Sequence, residues 1–104
     1  MNQFFESLGR LWTKAAERHG VKIEAPSLDP KVADELLQLA AVVSHTKERR
    51  FAPLATYTAG VAVERLRQAK EIDPEAVAAL IKEVREELER DPDPGTGPAG
   101  SSRS

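Results

Sequence analysis

A chain of 104 residues is long enough for one domain, and its net charge of −2 gives no overall pull toward nucleic acid or an anionic membrane. The lack of cysteine excludes disulfides, thiolate metal sites and cysteine nucleophiles, and it fits a cytoplasmic protein. With 40% hydrophobic and 31% charged residues the balance is that of a soluble helical protein, and the margin of buried surface is thin enough that a homodimer stands beside a monomer.

The N-terminus has neither the basic segment nor the continuous apolar segment of a signal peptide. Phe4, Phe5, Leu8, Leu11, Trp12, Ala15 and Ala16 fall at helical spacings. They predict a first helix from about Gln3 to His19, with Asn2 as its cap and Gly20 as its stop. Trp12 is expected in the core, as single aromatics at helical spacing usually are. Val21 and Ile23 belong to an extended connector and are expected to dip into the core. Asp29 as cap and Pro30 at the first helical position start a second helix, with Val32, Leu36, Leu39, Ala40 and Val43 on its buried face. It is expected to end at residues 44–46.

Residues 51–63 carry no charge at all, which calls for burial on more than one side. They open a third helix at about Ala52 or Pro53. Leu54, Tyr57, Val61 and Leu66 share one face, and Ala55, Ala59 and Ala62 share another. Gly60 inside this helix costs about 1 kcal/mol relative to alanine, and the expected compensation is close approach of a neighbouring helix. The run is too short to cross a bilayer. Ile72, Asp73 and Pro74 repeat the start signal of the second helix. Val77, Leu80, Ile81, Val84 and Leu88 then form the stripe of a fourth, with Lys82–Glu86 and Arg85–Glu89 spaced for pairing on its exposed side. The whole reads as an all-α domain over residues 1–90, four helices packed around the central apolar helix at about 53–69, followed by a disordered Pro/Gly/Ser-rich tail at 91–104.

No P-loop, dinucleotide fingerprint, zinc-protease motif or nucleophile elbow is present. His19 and His45 have no ligand spacing, so no catalytic residue, cofactor or metal site is assigned. The one candidate site is the basic run before the third helix. His45, Arg49 and Arg50, with Thr56 or Tyr57 assisting, could hold a phosphate-bearing small molecule at that helix's N-terminus. The bland alternative is that His45, Lys47, Arg49 and Arg50 favour the end of the second helix and keep a loop soluble.

Leu36, Leu37, Leu39 and Ala40, then His45, then the run from Arg49 to Thr56, then Ala59 and Gly60, with Trp12 near the start, resemble a known family. It is the DUF6457 family of small helical actinobacterial domains of unknown function, and the likeness covers residues 8–67, leaving the fourth helix and the tail beyond it. Members stand alone or are joined to a nucleotidyltransferase of molybdopterin-guanine dinucleotide synthesis. The resemblance therefore implies a non-catalytic accessory or protein-interaction module linked to molybdenum-cofactor metabolism, with a protein partner. It carries over no functional residue. The charge balance and the short uncharged run predict neither nucleic acid nor membrane as a partner.

Overall fold

The computed structural model describes residues 3–93 and is all-α, with no strand among the described residues. Its helices are α1 (Gln3–Arg18), α2 (Pro30–Thr46), α3 (Phe51–Ala69) and α4 (Pro74–Arg90). The chain divides at Pro30 into two compact units, one holding α1 and the connector after it, the other holding α2, α3 and α4. The expected cap at Asn2 and nearly all of the expected tail lie outside the described residues.

In the first unit α1 stops where a glycine allows it to. Gly20 has φ +80°, the Gly20 N–H donates to the Glu17 carbonyl at 2.9 Å, and the Val21 N–H donates to the Ala16 carbonyl at 3.0 Å. This pair of bonds is a Schellman closure, which satisfies carbonyls that the helix end would leave open. The connector then returns across α1 at Gly9, the helix's one buried residue. A Cβ at position 9 would lie 2.8 Å from the Pro26 carbonyl oxygen, so the close approach requires glycine there.

Trp12 is not a core residue. It is 55% exposed, Leu11 is 62% exposed, and Val21 and Ile23 are exposed as well. The reason is the partner available within the unit: a thin extended connector covers Gly9 and leaves most of a wide apolar arc in water. A shallow pocket between the two is lined by Phe5, Leu8, Trp12, Pro26 and Leu28 among others.

In the second unit the buried cluster is Leu39 and Val43 of α2 with Val77 and Ile81 of α4. Ala55, Ala59 and Val63 of α3 pack against it half-buried. The uncharged helix is thus not the centre of the fold: no residue of α3 is buried. Its core-facing side chains are mostly alanines, which bring little surface to bury, while Leu54 and Tyr57 point outward at 62% and 72% exposure. Nor does a neighbour approach Gly60, since a Cβ built there meets nothing within 4 Å.

The start of α4 follows its sequence signal. Asp73 Oδ1 accepts from the Ala76 N–H at 2.8 Å, Pro74 sits in the first turn, and Ile72 packs on the cluster that includes Val77. Among the described residues, ion pairs link α2 and the residue after it to α4 and the segment after it: Lys31–Glu75 at 3.5 Å, Glu35–Arg85 at 3.2 Å, and Lys47–Asp93. They join start to start, body to body and end to end, so α2 and α4 run in the same direction. Asp93, three residues into the expected tail, is thus paired with Lys47.

Candidate functional site

The small face of α3 has a consequence for shape. Ala55, Ala59 and Ala62 are too short to close on Leu80, Val84 and Leu88 of α4, and a groove of about 300 Å³ remains between the two helices. Leu39 and Ile81, both buried, also line it. The one polar side chain in the lining is Thr58, whose hydroxyl donates to the Ala55 carbonyl of its own helix at 2.7 Å. That bond uses the hydroxyl's hydrogen, so the groove has no side-chain donor to offer and only the Thr58 oxygen as acceptor, a lining that suits apolar surface. Val84 is 48% exposed, and Glu83 and Glu87 beside it on α4 are exposed too.

The basic run takes a different form from a phosphate cradle. His45, Lys47, Arg49 and Arg50 are all exposed, in and beside the link at residues 47–50. Arg50 Nε donates to Glu48 Oε1 at 2.8 Å and its guanidinium lies 5.8 Å from the Phe51 ring centre. Lys47 is paired with Asp93. Thr56 donates to the Pro53 carbonyl at 2.9 Å, within its own helix. At the start of α3 the Phe51 N–H already meets the Glu48 carbonyl at 2.9 Å, the Ala52 N–H meets the Arg49 carbonyl at 3.1 Å, and Pro53 has no N–H. An anion there would be held by side chains alone.

One polar cluster was not visible in the sequence. Arg85, spaced for a surface pair with Glu89, instead lies only 12% exposed between Glu35 and Glu89, at 3.2 Å and 3.3 Å. Burial is the largest influence on its pKa and lowers it. The hydrogen bond to Glu35 and the charges of Glu35, Glu89 and Glu86 together outweigh that, and the pKa is raised above arginine's ordinary value. The guanidinium stays charged throughout the working pH range, so the pair acts as a fixed strut between α2 and α4. Among the described residues no group of His, Asp or Glu is placed to hold a metal ion.

Fold and groove together define a small all-α domain whose distinctive surface is apolar. The chain belongs to the family described as a domain of unknown function, DUF6457, whose model matches residues 6–96. That span takes in α4, so the family's pattern reaches further than the likeness read from residues 8–67. Neither the curated proteins nor the solved structures give a match. No described helix is long and apolar enough to cross a membrane.

Proposed function

We propose that the domain is a non-catalytic accessory module that receives an apolar helix of a partner protein in the α3–α4 groove. The observation that carries this is a groove lined by hydrophobic side chains, with its single polar group tied to its own helix. Glu83, exposed beside Val84 on the α4 side, favours a partner helix with a basic flank. The absence of cysteine suits the reducing cytoplasm as the place of action. The fusions known from the family make the nucleotidyltransferase of molybdopterin-guanine dinucleotide synthesis the first partner to try.

The test is a calorimetric titration of the full chain with that transferase from the same organism. Binding should weaken at least tenfold in Val84→Glu, which sets a carboxylate into the apolar lining, and in Ala62→Trp, which fills the groove, with both variants retaining the helical circular-dichroism signal. No heat with the transferase removes the molybdenum link. Binding that both variants leave intact removes the groove.

A second reading keeps a phosphate-bearing ligand at the basic run. It rests on His45 and Arg49, which are exposed, together with Arg50 once freed from Glu48. It predicts a thermal shift with phosphate or nucleotides that Arg49→Ala and Arg50→Ala abolish without lowering the melting temperature of the free protein.

A further inference from the structure

The outward side of α3 is a separate feature from the groove, and the two can be tested independently. Arg50, Leu54, Tyr57, Val61 and Glu64 follow one another at spacings of four and three residues, the period of a helix–helix seam. Leu54 and Tyr57 are among the most exposed large side chains of the described residues, and Val61 is half-buried beside them. Gly60 lies next to this seam, in open space. Nothing within the fold offsets its cost to the helix.

A surface meant for its own copy must complement itself under a two-fold axis, and this one does. In an antiparallel pair of α3 helices centred near Tyr57, Leu54 of each copy falls over the hole framed by Tyr57, Gly60, Val61 and Glu64 of the other. The missing side chain at Gly60 gives Leu54 its room. The same register sets Arg50 opposite Glu64 twice, once at each end of the seam. The Arg50–Glu48 pair within the chain is highly exposed and exchanges at little cost. Glu64 is exposed and free to receive it.

We infer that the domain self-associates as a two-fold dimer through α3, with Leu54 seated on Gly60 of the second copy and Arg50 paired with its Glu64. The seam is short, so the dimer is weak and forms at high protein concentration. Sedimentation velocity of the full chain across a wide concentration range should show a reversible monomer–dimer exchange.

Leu54→Asp should leave a monomer at every concentration with an unchanged helical signal. Arg50→Glu and Glu64→Arg should each weaken association about tenfold, and the two together should restore it. Gly60→Ala separates this account from a merely structural one. It should raise the melting temperature of the dilute monomer, because alanine is the better helix former, while weakening the dimer at least tenfold. A monomer at all concentrations overturns the inference. So does a dimer that Leu54→Asp leaves intact, or a Gly60→Ala protein that dimerises as the parent does. None of these results bears on the groove, whose variants Val84→Glu and Ala62→Trp should dimerise normally.

Discussion

Leu39→Ala will destabilise the protein by about 2–5 kcal/mol, while Leu37→Ala, two residues away on the same helix, will change stability by about 0.5 kcal/mol or less. The two leucines have the same chemistry and the same helix around them. Leu39 is 4% exposed and belongs to the buried cluster with Val43, Val77 and Ile81; Leu37 is 68% exposed. Truncating Leu39 removes apolar surface already taken out of water and leaves a void beside the groove floor. The cluster has few other buried members to absorb the loss. For a domain of this size, each 1 kcal/mol lowers the melting temperature by roughly 4–8 °C. Urea unfolding of the two variants decides the matter: equal midpoints would mean that the core does not lie between α2 and α4.

Breaking the Glu35–Arg85 pair is the second large effect. Glu35 and Arg85 side chains are only 15% and 12% exposed, so removing either leaves the other charge in a poorly solvated place. Glu35→Ala and Arg85→Ala should each destabilise clearly more than Lys31→Ala, whose pair with Glu75 is exposed on both sides. Replacing both partners by apolar residues, Glu35→Leu with Arg85→Met, should recover most of the loss, because no charge is then stranded. The sign with pH follows from the raised Arg85 pKa. That contribution is complete below arginine's ordinary pKa and fades only as pH rises through the higher folded-state value, so alkaline titration up to the working limit should leave it intact. A thermal-melt series over the four variants checks the order. Single variants no weaker than Lys31→Ala would show that the pair is solvated in solution.

Element boundaries were legible because they are written in local chemistry. Asp73 and Pro74 announce α4, Gly20 ends α1, and both act through backbone groups a few residues away. The placement of α3 was not legible in the same way. An uncharged run signals burial only if its side chains are large enough to have surface worth burying. Here the alanines face the cluster while Leu54 and Tyr57 face water, and the spacing alone assigns neither face. Trp12 misled for a related reason: periodicity shows that a stripe exists, not that another element covers it. The groove had a signal, the small face of α3 set against the large stripe of α4. Reading it required knowing that these two faces meet. Arg85 had none, since the partner that holds it, Glu35, lies 50 residues away in sequence.

A partner helix can enter only if the α3–α4 groove is open and apolar in solution. This is tested most directly by recording amide and methyl NMR spectra of the full chain while titrating a small apolar probe such as benzene. Saturable shifts are expected at Leu39, Ala59, Ala62, Val84 and Leu88, absent in Ala62→Trp and unaccompanied by change at Arg49 or Arg50. A spectrum that does not respond, or that responds equally in Ala62→Trp, would mean that α3 and α4 close on each other and that no groove exists to receive a partner.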